Sequence, residues 1–211
     1  MPQIDFTKEN IPNLYKMLIG SVVPRPIAWV SSLSEDGVLN LAPFSYFNIA
    51  SINPPILSFS PLNAPTGNPI EGRRKDTLQN VRATGECVIH IVPYALQDQM
   101  NLSAANWPPE VSEFEKTGLQ SLESTLVKPK RIASAPIAFE CEVDQIVSWG
   151  GQPMGGNLVL CRVLMAHFSD EVFHDYKIDL NHLDPISRLG GPDYSRVKTD
   201  VYALPRPEDL I

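Results

Sequence analysis

Proline placement sets the first constraint on this chain. Twenty of its 211 residues are proline, and they stand singly or in pairs between short apolar runs: Pro24 and Pro26, Pro43, Pro54 and Pro55, Pro61, Pro65 and Pro69. Proline fixes φ and has no N–H to give to a ladder. Scattered in this way it does not make a low-complexity linker. It suits an all-β domain whose short strands are joined by stiff, ordered connections.

The runs between the prolines bear this out. Residues 27–33 (IAWVSSL) read as a strand, ended by Ser34-Glu35-Asp36-Gly37, a hairpin-type turn in which Asp-Gly accepts positive φ. Residues 38–42 run back, 44–50 follow, and 56–60 leave Pro54-Pro55, giving a β-meander. A polar loop over 63–74 ends at Lys75-Asp76-Thr77, where Asp76 or Thr77 is expected to cap a short helix that Gly85 stops. Residues 86–92 read as a strand, 95–105 have helical spacing, and 107–115 form a proline-rich acidic loop. Two long strands, 138–147 and 157–168, are joined by the glycine-rich stretch 148–156. In the first, Phe139, Cys141 and Val143 alternate with Glu140, Glu142 and Asp144, as in a half-buried strand. The expected fold is mainly β, a barrel with a few short inserted helices rather than a parallel α/β sheet.

Composition narrows the function classes. Hydrophobic residues make up 43% and charged residues 19%, an ordinary globular balance. A formal net charge of −7 argues against a broad nucleic-acid or anionic-membrane surface, and leaves room for one small anion pocket. The apolar stretch 158–166 is broken by Arg162 and is too short to cross a bilayer. Residues 1–10 carry no apolar signal core, so the expectation is a cytoplasmic protein. Cys87, Cys141 and Cys161 lie in apolar runs without a C-x-x-C pair and read as small hydrophobes. There is no G-x-S-x-G elbow, H-E-x-x-H, Walker-type loop or G-x-G-x-x-G, and the four histidines lack metal-ligand spacing; no metal is expected.

Two constellations remain. Lys75 and Thr77, with neighbouring N–H groups at a helix start, suit a phosphate; Arg73 and Arg74 make this the densest basic spot. The alternative is a surface helix with an ordinary cap and solvated charges. The second is Ala42-Pro43-Phe44-Ser45-Tyr46-Phe47-Asn48 with Ser58 and Ser60, which offers an aromatic face and donors to a planar heterocycle. Its alternative is a core strand with serines on the outer face. Trp107 and Trp149 either edge a pocket or anchor packing.

The run Pro24-Arg25-Pro26-Ile27-Ala28-Trp29-Val30-Ser31-Ser32 resembles the first strand of flavin reductase-like proteins. It is followed at the matching distance by residues 40–48, then by Asn53-Pro54-Pro55, Lys75-Asp76-Thr77 with Asn80, the strand 157–160, and Arg188-Leu189-Gly190-Gly191 with Tyr194. The resemblance spans residues 18–194. It implies an FMN-binding split β-barrel, one domain over 1–211 with a barrel core at 18–170 and a tail, 171–211, packed on the core or on a dimer partner. It further implies a homodimer with flavin near the interface. Lys75 and Thr77 would then hold the FMN phosphate, helped by Ser58 or Ser60. Asp76 would order the phosphate loop. Phe44, Ser45 and Tyr46 would line the isoalloxazine, and Arg25 is a weaker candidate beside them. Arg188 and Tyr194 would close the substrate side. Cys161-Arg162 replaces a Gly-Glu pair common in relatives, and the loop 63–74 is long; both are expected to alter the pocket mouth. The implied activity is hydride transfer from NADH or NADPH to flavin and on to free flavin, a metal chelate or a small organic acceptor, with no protein acid or base required. Two other readings stay open: an FMN-binding carrier, electron-transfer partner or sensor without turnover, and an apolar-ligand barrel without flavin.

Overall fold

The computed structural model describes residues 1–65 and 75–206. In chain order the elements are α1 (Ile11–Ser21), β1 (Arg25–Pro26), β2 (Ala28–Leu33), β3 (Leu39–Phe44), β4 (Phe47–Ser51), β5 (Ile56–Phe59), α2 (Asp76–Thr84), β6 (Glu86–Ile91), α3 (Gln97–Ser103), α4 (Glu113–Thr117), β7 (Ser121–Leu122), β8 (Arg131–Ile132), β9 (Ile137–Ser148), β10 (Asn157–Phe168), β11 (Phe173–His174), β12 (Lys177–Ile178), α5 (Leu180–Leu183), β13 (Ile186–Arg188) and β14 (Tyr194–Arg196).

Seven strands form one antiparallel sheet in the order β3-β2-β6-β9-β10-β5-β4. Its two edge strands, β3 and β4, are joined by only Ser45 and Tyr46. A flat sheet of this width would hold its edges about 29 Å apart, six strand spacings. The three Cα steps from Phe44 to Phe47 reach about 11 Å at most. The sheet therefore has to curl until its edges meet, and the molecule is a mainly β, curled half-barrel with a few short helices.

Period-two alternation builds the core on both faces of β2. Ala28 and Val30 turn inward and join Phe44, Phe59, Ile89 and Val159, with Leu78 and Val81 of α2 in the same cluster. Ile27 and Trp29 turn outward, where Met100 of α3 and Phe114 of α4 cover them. Cys87, Cys141 and Cys161 are free thiols in the inner cluster. Arg162 lies on the outside, bonded to Asp144 at 2.8 Å. Cys161-Arg162 therefore does not reach the pocket mouth, contrary to expectation, because one side chain packs inward and the other pairs with β9.

Other local expectations are corrected. Neither Asp76 nor Thr77 caps α2: the N-cap is Lys75, with no side-chain cap bond. Gly85 does stop the helix, at φ 72°. Residues 113–115, the end of the loop expected at 107–115, belong instead to α4. The helix expected over 95–105 is a 3-10 turn, Tyr94–Leu96, running into α3. Helix α1 was not anticipated; Asn10 caps it by accepting the Asn13 N–H at 2.9 Å, and Pro12 sits in its first turn. Most of the loop expected at 63–74, including Arg73 and Arg74, lies outside the described residues. Strands β13 and β14 pair back onto β1, tying the C-terminal part to the start of the barrel. Among the described residues no helix is long and apolar enough to cross a membrane.

Candidate functional site

The curl that brings β3 and β4 together also creates the site. Each of these strands pairs on one side only, so their other edges are open at the seam where Ser45 and Tyr46 lie. Ser60 N–H donates to Tyr46 C=O at 2.9 Å, which carries the β4–β5 register one residue beyond the Phe47–Phe59 pair and holds Tyr46 at the seam. Beside the seam is a cleft of about 580 Å³. Phe44, Ser45, Tyr46 and Ser60 form its seam wall; Lys75 comes from the start of α2, and Arg25 and Arg188 from the small β1-β13-β14 sheet. Ile11, Tyr15 and Ile19 of α1 close a further side. Among the described residues no Asp or Glu lines this cleft. A second cleft of about 300 Å³ shares Pro43, Phe44 and Lys75 with it and continues past Asp76 and Thr77 to Trp107 and Glu113.

The start of α2 is set by a buried polar chain. Thr77 Oγ1 donates to Asn40 Oδ1 at 2.7 Å, and Asn40 Nδ2 donates to both Glu113 carboxylate oxygens at 3.0 Å. Glu113 also accepts the Leu41 N–H at 2.8 Å. Ser32 Oγ donates to Asn40 Oδ1 at 3.2 Å and accepts from Asn80 Nδ2 at 3.0 Å. These bonds tie α2, α4, β2 and β3 at one point. Burial pushes the Glu113 carboxyl above its usual value, with the Leu41 and Asn40 bonds acting against that rise. The Lys75 N-cap makes no side-chain cap bond, and the N–H groups of the first turn of α2 carry the positive end of the helix dipole. Lys75 adds its ammonium there, 3.3 Å from Asn106 Oδ1.

The sequence candidates divide accordingly. The structure brings Arg25, Phe44, Ser45, Tyr46, Ser60, Lys75 and Arg188 to one cleft. Asp76 and Thr77 border the adjoining one, but the Thr77 side chain is buried and cannot offer its hydroxyl as a free donor. Ser58 lines neither cleft; its hydroxyl donates to Asn48 C=O at 3.2 Å. Phe44 is a core side chain, its ring centroid 5.3 Å from that of Phe59, so it borders the cleft at the edge of the core. Tyr194 stands beneath Arg188, 4.4 Å from ring centroid to guanidinium carbon, and not on the main cleft. Trp107 borders the second cleft with Lys116 over its ring; Trp149 borders neither.

Three contributors went unread in the sequence. Tyr15 enters with α1; the spacing Ile11, Tyr15, Leu18, Ile19 after the Asn10-x-Pro12 start was the available signal. Burial raises the Tyr46 phenol above its usual value, with Tyr15 adding to the rise. Asn40 and Glu113 act through the hydrogen-bond chain, and no local pattern announces a contact between residues so far apart in sequence.

Residues 19–182 match the family described as flavin reductase like domain. Nitrilotriacetate monooxygenase component B from Bacillus cereus is similar at 35% identity and TM-score 0.90, covering 97% of this chain and 98% of that one. The 2-nitrobenzoate 2-nitroreductase NbaA of Pseudomonas fluorescens is similar at 29% identity and TM-score 0.82, covering 98% and 96%. A Shewanella frigidimarina protein described as having a split barrel domain shares the fold at 17% identity and TM-score 0.77, covering 95% of each chain.

Proposed function

The chain belongs to the flavin reductase like domain family, and from that premise we propose that it is an FMN-binding oxidoreductase that takes hydride from NADH or NADPH and passes electrons to a small acceptor. The observation that carries this reading is that Lys75, the N-cap of α2, lines one cleft with the open-edged seam at Ser45 and Tyr46, while Asp76 and Thr77 border the cleft that adjoins it.

The residues present fit such a cofactor. Helix N–H groups and an ammonium suit a phosphate. Open strand edges at the seam offer N–H and C=O groups to the polar rim of a heterocycle, and the apolar side chains of α1 offer it a face. Lys75 and the first N–H groups of α2 would hold the phosphate, Ser45, Tyr46 and Ser60 the ring edge, and Arg25 would keep the seam in place. FMN, when bound, supplies the two-electron redox chemistry. The protein's share would be to orient ring and reactant in the cleft, of which α1 forms one wall.

The two more similar structures, a monooxygenase component and a nitroreductase, support an oxidoreductase and differ in what they act on. The acceptor is accordingly read as a small molecule, without nucleic acid or membrane as partner, and the protein as cytoplasmic. We further propose a homodimer: Ile49 at 62% and Ile52 at 79% exposure put two large apolar side chains on the surface at the edge strand β4 and the turn after it.

The test is the visible spectrum of the purified protein, then FMN titration and anaerobic stopped-flow mixing with NADH and NADPH. Bound FMN that bleaches within seconds with either nucleotide is the expected result. Bound FMN that neither nucleotide bleaches would make the protein a carrier or electron-transfer partner, and failure to bind FMN would remove the flavin reading.

A further inference from the structure

Lys75, Arg25 and Arg188 all border the main cleft, and among the described residues no carboxylate does. The phosphate reading uses Lys75 and leaves the two arginines. They are direct cross-strand partners in the β1–β13 pair. Like charges in that position repel and weaken the pair. Arg25 is only 6% exposed, so water screens little of its charge.

Both guanidinium groups are held mainly by backbone carbonyls. Arg25 donates to Ile19 C=O at 2.6 Å, to Val22 C=O, and to Leu189 C=O at 2.8 Å, with a long 3.5 Å approach to Ser45 Oγ. Arg188 donates to Gly191 C=O and lies over the Tyr194 ring. Carbonyls satisfy N–H groups but leave the net charge in place. Neither arginine forms an ion pair among the described residues, whereas Arg196 pairs with Asp184 and Arg162 with Asp144. The two arginines that border the cleft thus lack, among the described residues, the carboxylate that Arg162 and Arg196 have. The missing charge is one that a ligand can bring. Tyr15 and Tyr46 border the same cleft with phenol groups suited to donate to an oxyanion.

We infer that Arg25 and Arg188 form a second anion-binding end of the cleft, separate from the Lys75 end, which takes the carboxylate or phosphate oxygens of the second reactant. This deepens the proposed function, since the word reactant rests on it. Two sources share the oxyanion chemistry: a small acceptor bearing a carboxylate, and the pyrophosphate of a dinucleotide donor.

The test is isothermal titration of the whole protein, as purified and FMN-loaded, with benzoate against its neutral isostere benzamide, and with ADP-ribose against adenosine. Arg188→Gln is the main variant, because it leaves the Arg25 bonds to α1 intact, and Arg188→Lys is the conservative one. An anion preferred over its neutral partner, weakened about tenfold or more by Arg188→Gln and partly restored by Arg188→Lys, supports the inference. Dependence of benzoate binding assigns the end to the acceptor; dependence of ADP-ribose binding assigns it to the donor. If neither anion is preferred, or if Arg188→Gln leaves both affinities within about twofold, the inference is overturned. A protein that fails to take up FMN ends the flavin reading, while the titrations of the unloaded protein still decide the arginine pair.

Discussion

Acid should weaken this fold through one histidine, and the size of the effect follows from its bonds. His90 is fully buried on β6, with Nδ1 2.9 Å from Trp29 C=O and Nε2 3.0 Å from the Ile132 N–H. A carbonyl needs a donor and an N–H needs an acceptor, so both contacts are satisfied together only by the neutral ring with its proton on Nδ1. A second proton would turn Nε2 against the Ile132 N–H. Burial lowers the pKa from 6.5 to about 4, with the Trp29 bond acting the other way. The folded value lies below the unfolded one, so this stability is complete above pH 6.5 and is lost as pH falls toward 4. The full loss is about 3 kcal/mol, and by pH 5 it is about 2 kcal/mol. Urea denaturation at pH 7.5, 6.0 and 5.0, for the parent and for His90→Gln, isolates the effect because other titrating groups are common to both. The parent should lose about 2 kcal/mol more than the variant between pH 7.5 and 5.0. Parallel losses in the two proteins would refute the reasoning.

Further expectations concern the cleft. Thr77→Val should cost about 1 kcal/mol of stability through Asn40 and change FMN affinity less than about threefold, while Lys75→Gln should weaken FMN roughly tenfold or more with little loss of stability; FMN titration and urea denaturation together separate the two. Gly155→Ala places a Cβ 2.9 Å from Trp149 C=O and 3.0 Å from Gln152 C=O; the clash with backbone should cost about 1–3 kcal/mol, read by denaturant midpoint. Ile49→Asp with Ile52→Asp should leave secondary structure unchanged by circular dichroism and give a monomer by light scattering; a dimer that persists would place the interface elsewhere.

Much of the barrel was legible because strand periodicity is local. The bounds of β10 agree with the expected 157–168, and β9 differs by one residue at each end. The Asp-Gly turn and the Gly85 stop are likewise set by φ at single residues. What escaped depends on partners distant in sequence. Thr77 looks like a cap in any short window, yet the buried amide of Asn40 lies 37 residues away and takes its hydroxyl. Ser58 and Ser60 are indistinguishable by spacing, and only the pairing of β4 with β5 sends Ser58 to Asn48 while Ser60 stays at the cleft. Residues 113–115 read as the end of a loop after Pro108 and Pro109, but Phe114 packs in one cluster with Trp29 and Leu41 and Glu113 bonds Asn40, and that packing draws them into a helical turn.

The position of the cleft is a consequence of chain connectivity. Because two residues must bridge the outermost strands of a seven-stranded sheet, the curl ends at Ser45-Tyr46 whatever side chains stand there. The meeting edges cannot complete a ladder along their whole length, so open N–H and C=O groups gather at that point. A sheet edge left open in this way invites pairing with another chain unless something covers it. Here α1 lines the cleft beside it, its C-terminal carbonyls clamped by Arg25. The same guanidinium that clamps α1 thus brings its charge to the cleft. Lengthening the bridge with two glycines between Ser45 and Tyr46 separates these effects. The inner core, built mainly from strands with paired neighbours, should keep most of its stability, while FMN binding should fall with the geometry of the seam. If flavin affinity survived that insertion unchanged, closure of the sheet would not be what forms the site.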